Sequence, residues 1–181
     1  MFENPFENPR IKCLVERLKA IEDEKIIIWC KFKHEIESIE KVLKTLYGEE
    51  NISLLYGEIS INKRAEQIQK FKDKTRFLIA HKTCGGYGLN LQFSHLMIFY
   101  ANDFNWATRA QAEDRTHRIG QKNTVRIIDI CAQSKIDTRI LQCLYKKENL
   151  AECFKNEIKA NREYISKWLD GGLVDDTNRV K

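Results

Sequence analysis

Between residues 25 and 149, short apolar runs alternate with segments of amphipathic helical pattern, and this alternation constrains the fold more than any other feature. The first run, IIIWC, is apolar at every position, as a strand covered on both faces must be. Strands separated by helices of this length form βαβ units with right-handed crossovers. The pattern therefore predicts a three-layer α/β/α fold around a mainly parallel sheet. The candidate strands are 26–30, 52–56, 77–80, 96–100 and 125–131.

The segments between these runs predict the helices. Apolar residues at helical spacing indicate a helix that ends at Gly48, one capped by Ser60, and one from about Trp106 to Ile119. Ser134 and Asp137 have the spacing of a capping box before a further helix. The expected buried stripes of the first two helices are Ile36, Ile39, Leu43 and Leu46, then Ile61, Ala65, Ile68 and Phe71.

The flanks differ from this core, so we expect three parts. Residues 1–24 form a leading segment with a helix, 25–149 the α/β domain, and 150–181 a C-terminal amphipathic helix, patterned over 148–169, with a frayed tail. The apolar stripe of that last helix would pack either on its own domain or against a partner protein, and packing on its own domain is the commoner outcome.

Composition excludes several classes of protein. There are 31 basic and 26 acidic residues, a net charge of +5 that is compatible with a polyanionic partner. No run of about 18 apolar residues predicts a membrane span, and the first ten residues do not resemble a secretory signal. We therefore expect an intracellular protein with no membrane partner.

The six cysteines include no C-x-x-C pair. They are expected to be free, structural thiols in a reducing compartment. His81 and Cys84 have a metal-like gap, but no second pair follows, so no metal site is predicted.

Two segments can carry chemistry. The loop Cys84–Asn90, CGGYGLN, follows the third candidate strand, and its glycines allow backbone amides to approach an anion. In the segment QAEDRTHRIGQ, a continuous helix would place Gln111, Arg115 and Arg118 on one face, and two guanidiniums one turn apart suit phosphoryl oxygens. From these residues alone, the glycines are explained equally well by an anion-binding loop and by a turn that needs glycine for steric reasons. The polar residues are explained equally well by a phosphoryl-binding face and by a helix face exposed to solvent.

GGYGLNLQ and NDFNWATRAQAEDRTHRIGQ resemble motifs V and VI of the Swi/Snf family of DNA-dependent ATPases in helicase superfamily two. KIIIWCKFKHEIESIEKVL resembles motif IV, and YGEISINKRAEQIQKF resembles the block after it, with Gly57, Arg64 and Phe71 in matching places. The resemblance covers about residues 10–149. It implies the second RecA-like lobe of a two-lobed motor.

The resemblance also implies roles for particular residues. Arg115 and Arg118 match the arginine fingers that act across the cleft between lobes, where a guanidinium stabilises charge on the γ-phosphate. The implied nucleotide-binding residues are Gln111, Gly86, Gly88 and Asn90. The implied DNA-backbone contacts are Lys82, Thr83, Lys31, Lys33 and Arg64.

Two departures accompany the match. Phe104-Asn105-Trp106 stands where the family usually has W-N-P, which puts the turn into the following helix in doubt, and Lys82 replaces a frequent threonine.

The sequence contains no Walker A lysine and no D-E-x-H box, which P-loop enzymes use to hold ATP and Mg²⁺. The resemblance implies two partners, an N-terminal RecA-like lobe, which binds most of the ATP and Mg²⁺, and the backbone of double-stranded DNA. Alone, the chain should be inactive as an ATPase.

The expected location is intracellular and DNA-associated. The alternatives are a non-catalytic nucleic-acid-binding or adaptor module and an RNA helicase lobe.

Overall fold

The computed structural model describes residues 4–84, 89–102, 104–132 and 134–160. Within them the strands are Ile26–Cys30 (β1), Ile52–Leu55 (β2), Phe77–His81 (β3), Leu96–Phe99 (β4) and Arg126–Asp129 (β5). The helices are Pro9–Lys19 (α1), Lys33–Tyr47 (α2), Ile61–Asp73 (α3), Trp106–Glu113 (α4), Lys135–Tyr145 (α5) and Leu150–Ala160 (α6).

All five strands belong to one parallel sheet with the order β2-β3-β1-β4-β5. The chain runs outward from β1 to β2 in one direction and from β4 to β5 in the other. β1 and β4 are neighbours, so the direction of winding reverses between them. Crevices at such reversal points, outside the carboxyl ends of the strands, are where open α/β sheets bind ligands. The predicted α/β fold with a parallel sheet is confirmed.

Side chains of β1 alternate between two apolar layers. Ile26, Ile28 and Cys30 pack in the layer that includes the buried stripes of α1 and α2. Ile27 and Trp29 pack in the other layer, which takes in residues of α3 and α4. Every residue of β1 is completely buried, because helices cover both faces of the sheet.

Helix α3 differs from its expected stripe. Ile61 is 81% exposed and Ala65 is exposed, whereas Phe71 is completely buried and packs against Phe93 with ring centroids 5.4 Å apart. The helix contacts the core through its C-terminal half, so apolar residues in its first turn stay in water. Leu46, in the last turn of α2, is exposed for a similar reason, since it lies at the end of its helix.

The chain divides into two compact units. The first comprises residues 1–103 and 107–131, which include the sheet, and the second comprises 104–106 and 132–181. In the second unit, Ser134 caps α5 by accepting a hydrogen bond from the Asp137 N–H at 3.2 Å, as the capping pattern predicted. The Asp137 carboxylate accepts from the Ala132 N–H.

Helix α6 covers the first part of the predicted C-terminal helix, and residues 161–169 of that prediction lie outside the described residues. The predicted boundaries at 24/25 and 149/150 stay predictions. In the described part of the chain, no helix has the length and apolar character needed to cross a membrane.

Candidate functional site

The carboxyl ends of β1 and β3 meet at one edge of the sheet, where Cys30 is in register with His81. The His81 Nε2 lies 2.6 Å from the carbonyl oxygen of Lys31. Because a carbonyl only accepts, Nε2 must donate, which leaves Nδ1 of a neutral ring as an acceptor. Nδ1 accepts from the Thr83 hydroxyl at 2.8 Å and the Thr83 N–H at 3.3 Å. The His81 side chain thus fixes the turn that follows β3.

The residues of this turn differ in exposure. Thr83 is exposed, as a residue that contacts DNA must be. Its hydroxyl proton is directed at His81, so a DNA phosphate would compete with the imidazole for it.

Lys82 is only 2% exposed, whereas the expected role in DNA binding required a surface residue. Its backbone N–H donates to the Cys30 carbonyl, which continues the β1–β3 pairing by one residue and turns the side chain inward. Burial raises the pKa of the Cys30 thiol, against a smaller lowering by the Lys82 charge. In this arrangement Lys82 contributes to the interior and not to a DNA-binding surface.

Three further basic residues were expected to contact DNA. Lys31 is half-buried, with its ammonium 5.4 Å from the centre of the Phe32 ring. Lys33 is exposed and pairs with Glu58 at 2.6 Å, a hydrogen bond that raises its pKa.

The third, Arg64, uses its guanidinium inside its own segment. Nε donates to the Ile59 carbonyl and Nη2 donates to the Gly57 carbonyl, both at 2.7 Å. Arg64 therefore holds the turn between β2 and α3 through two backbone carbonyls.

The segment with the two candidate arginines is not helical, contrary to the predicted helix from Trp106 to Ile119. Helix α4 ends at Glu113, whose carbonyl accepts from the N–H groups of Thr116 and His117 and from the Thr116 hydroxyl. A buried threonine hydroxyl that competes for a carbonyl near a helix end favours a turn. Gln111, Arg115 and Arg118 therefore do not share a helix face.

Arg115 points into the protein. Its residue is 8% exposed, its Nη1 donates to the Cys84 carbonyl at 2.6 Å, and its Nη2 lies 3.4 Å from the Lys82 carbonyl. The guanidinium carbon lies 5.5 Å from the centre of the Trp29 ring. Burial lowers the pKa of Arg115, and the positive charge of Arg118 lowers it further. No carboxylate of the described residues pairs with it.

Gln111 and Arg118 are exposed, so their side chains are accessible to a ligand. Asn90 is also exposed, and its Oδ1 accepts from the Gln92 N–H at 3.1 Å in a local turn. Gly86 and Gly88, the expected nucleotide-binding glycines, lie outside the described residues.

Arg109 has a role that we did not predict from the sequence. Its residue is 6% exposed, it pairs with Asp129 and Glu113, and it donates to Asn102. Its guanidinium carbon lies 3.5 Å from the centre of the Phe99 ring, a close cation–π contact. Burial acts to lower its pKa, but the hydrogen bonds and charges of the two carboxylates outweigh it and raise the pKa.

The Arg109 cluster ties α4 to the carboxyl ends of β4 and β5. The only sequence signal for it was a lone arginine at a helix position that faces the core.

The six cysteines are free thiols, and Cys30, Cys84, Cys143 and Cys153 are buried. Among the described residues, no group of three or more His, Cys, Asp or Glu could hold a metal ion.

Comparison with known proteins identifies the family. Residues 9–120 match the helicase conserved C-terminal domain. The chain belongs to this family. CHROMATIN REMODELING 4 from Arabidopsis thaliana is 28% identical over 93% of this chain and 8% of that protein. ATP-dependent helicase FUN30 from Saccharomyces cerevisiae is 29% identical over 97% of this chain and 16% of that protein.

A solved structure supports the same assignment. The crystal structure of the C-terminal part of the Fun30 ATPase domain matches with a TM-score of 0.71 and 29% identity, over 78% of this chain and 47% of that one. The resemblance to Swi/Snf-type ATPases and the RecA-like fold are confirmed. The chain spans less than a fifth of the length of either curated relative.

Proposed function

We propose that this chain is the C-terminal lobe of an ATP-driven double-stranded DNA translocase, in which Arg118 supplies the guanidinium that stabilises the γ-phosphate. The observation that carries the proposal is the position of Arg118. It is exposed, and it lies three residues after an arginine that donates to the Cys84 carbonyl, in the turn that follows β3. Ligands of open α/β sheets bind outside the carboxyl ends of the strands.

The charges around Arg118 favour an anion. Arg115 carries a positive charge that no carboxylate of the described residues neutralises, and the charge of Arg118 is close enough to lower the Arg115 pKa. Two like charges in proximity raise each other's energy, and a phosphoryl group between the lobes would relieve that repulsion. Arg118 is thus suited to phosphoryl transfer, in which a positioned guanidinium acts on developing charge.

ATP and Mg²⁺ would be held mainly by the partner lobe. The chain has no Walker A lysine, and its described residues include no cluster of three or more potential metal ligands. The residues of this lobe that we propose near the nucleotide are Gln111, Asn90, Gly86 and Gly88, with Arg118 at the γ-phosphate.

For DNA, we propose that the duplex backbone contacts the exposed turn at Thr83 together with Lys31 and Lys33. These residues follow the carboxyl ends of β3 and β1, which are adjacent strands. Phosphate contacts of this kind position a protein on DNA without reading sequence. The names of the relatives, a chromatin-remodelling protein and an ATP-dependent helicase, support this assignment.

The test is Arg118→Ala in the full-length protein that contains this chain. DNA-stimulated turnover should fall by about 10³-fold, the lower end of what an arginine finger contributes, while ATP affinity and the melting temperature change little. Arg118→Lys should restore turnover only in part, because an ammonium cannot reproduce the bidentate fork.

Lys122→Ala is the matched control, since Lys122 is exposed four residues later and has no proposed role. It should behave like the wild type. If Arg118→Ala retained normal turnover, Arg118 would not act on the γ-phosphate, and the proposal would be wrong.

A further inference from the structure

We infer that Glu58 competes with DNA phosphates for Lys33, so that a carboxylate of this chain lowers the chain's own affinity for DNA. The inference rests on the proposed function, in which Lys33 and the turn at Thr83 contact the DNA backbone, and it assigns the regulation of that contact to an acidic residue. Three features of the Lys33–Glu58 ion pair support it: its position, the fixed backbone at both of its ends, and the direction of its hydrogen bonds.

The ion pair joins the turns on the two sides of β3. Lys33 lies three residues after the end of β1, and Glu58 lies three residues after the end of β2. β3 lies between these two strands in the sheet, and the chain after its carboxyl end includes the exposed Thr83. The pair therefore lies at the proposed DNA-binding edge of the sheet.

Hydrogen bonds fix the backbone at both ends of the pair. On the Lys33 side, the Glu35 carboxylate accepts from two backbone N–H groups of the turn into α2. On the Glu58 side, the Arg64 guanidinium donates to the carbonyls of the residues before and after Glu58. Each turn is held by its own hydrogen bonds, so the two side chains stay within reach of each other when their contact breaks.

The Lys33 ammonium is directed at the Glu58 carboxylate. Its Nζ donates to Oε1 at 2.7 Å and to Oε2 at 2.6 Å, so two of its three donors are used. Glu37 supplies a second carboxylate, 3.8 Å from the same ammonium. A phosphate on the third donor would lie beside these carboxylates, and like charges at such distances repel. DNA can therefore use Lys33 fully only when its contact with Glu58 breaks.

Both partners are accessible to DNA. The side chains of Lys33 and Glu58 are 50% and 65% exposed. Exposed ion pairs are weak, and salt screens them. A DNA phosphate can therefore replace the carboxylate, but the chain binds less tightly than it would with Lys33 unpaired.

This competition has a signature in the salt dependence of binding. A phosphate that binds an unpaired lysine releases condensed cations, which makes the slope of log K against log salt steeper by about 0.9. When Lys33 must first leave Glu58, the freed carboxylate attracts a cation, which cancels most of that release. Removal of the carboxylate should therefore strengthen binding and also make the slope steeper.

The experiment measures binding of the 181-residue chain to duplex DNA by fluorescence anisotropy at increasing salt. Glu58→Gln keeps the size of the side chain and removes its charge. It should raise the affinity at about 0.1 M salt by about twofold to fivefold, the range by which an exposed ion pair shifts an equilibrium, and make the slope steeper by about one. The melting temperature should stay close to that of the wild type, because the pair is exposed.

Glu49→Gln is the matched control. Glu49 makes the same kind of exposed pair with Lys44 at 2.7 Å, and Lys44 also has a second carboxylate one helical turn away, Glu40 at 2.9 Å. This pair lies between the last turn of α2 and the start of β2, at the amino edge of the sheet. Glu49→Gln makes the same change of net charge and should leave the slope unchanged.

Lys33→Gln separates this inference from the proposed DNA contact. Alone, it should weaken binding, because it removes the phosphate contact and leaves the Glu58 charge unpaired beside the DNA. In the double variant with Glu58→Gln, the steeper slope should disappear, since no lysine remains at position 33 to bind the phosphate.

The outcomes separate the hypotheses. If Lys33→Gln weakened binding while Glu58→Gln kept the wild-type affinity and slope, the inference would be wrong and the DNA contact of Lys33 would stand. Equal gains from Glu58→Gln and Glu49→Gln, or a steeper slope that persists in the double variant, would also overturn the inference, because either result would reflect net charge alone. If Lys33→Gln bound DNA as the wild type does, the proposed contact at Lys33 would be wrong, and the inference with it.

Discussion

At the scale of single residues, the arginines of α4 and the turn after it lie in different environments. Arg109 and Arg115 lie in the interior, and Arg118 is exposed. The sequence alone cannot distinguish them, because the charge and spacing of the arginines do not show which guanidinium donates to a carbonyl or pairs with a carboxylate. The distinction follows from where α4 ends.

The Arg109 cluster predicts a stability defect. Arg109→Met should lower the free energy of unfolding by about 3 kcal/mol, because it removes the positive charge paired with the Asp129 carboxylate, which keeps only the Asn102 amide as a donor, and leaves the Asn102 amide oxygen without its guanidinium donor. Urea unfolding of the 181-residue chain measures this. Lys33→Met is the control, since it breaks an exposed ion pair with Glu58 and should leave stability unchanged. Equal stability of both variants would show that the cluster adds nothing.

At the scale of elements, two helix caps give a matched comparison. The Ser134 hydroxyl accepts from the Asp137 N–H at the start of α5, whereas Ser60 at the start of α3 makes no side-chain cap bond. Ser134→Ala should therefore cost about 1 kcal/mol of the stability of the unit that contains α5, and Ser60→Ala clearly less. Thermal unfolding followed by circular dichroism compares the two variants. A larger effect at Ser60 would contradict the assignment of the caps.

Strands proved predictable because a buried parallel strand is apolar throughout. The run 26–30 was predicted residue by residue as β1, and the others differ by one to three residues at their ends. Helix ends were harder, since no sequence rule shows that the Glu113 carbonyl accepts from the Thr116 hydroxyl. The burial of Lys82 likewise depends on a backbone bond to Cys30, on a strand fifty residues away.

At the scale of the whole molecule, the chain holds one side of a proposed active site. The purified 181-residue chain should hydrolyse ATP at no more than the background rate, with or without DNA, because it has no Walker A or D-E-x-H sequence to bind the triphosphate and Mg²⁺. A phosphate-release assay with and without duplex DNA tests this. Turnover stimulated by DNA in the isolated chain would show that the catalytic residues all lie within it.

Binding of the isolated chain to duplex DNA should be weak, sensitive to salt and indifferent to sequence. The net charge is only +5, Lys33 is paired with Glu58, and the Arg64 guanidinium is occupied by carbonyls. A contact with about two to four phosphates gives a slope of log K against log salt of roughly −2 to −4, at about −0.9 per phosphate. Fluorescence anisotropy with two duplexes of unrelated sequence, measured at increasing salt, gives this slope.

Charge reversal at the proposed DNA-binding edge then locates the contact. Lys31→Glu should weaken binding to both duplexes equally and reduce the magnitude of the slope by about one. Lys19→Glu makes the same change of net charge in the last turn of α1. The chain just after this turn is bound near the start of β3, because Arg76 donates to the Ile21 carbonyl. The start of β3 lies at the opposite edge of the sheet from Lys31. Lys19→Glu should leave the slope nearly unchanged, because screening at about 0.1 M salt confines the effect of a charge to about 10 Å. If the two reversals had the same effect, DNA binding would depend only on the net charge of the chain. The proposed contact of the DNA backbone with the residues after β1 and β3 would then be wrong.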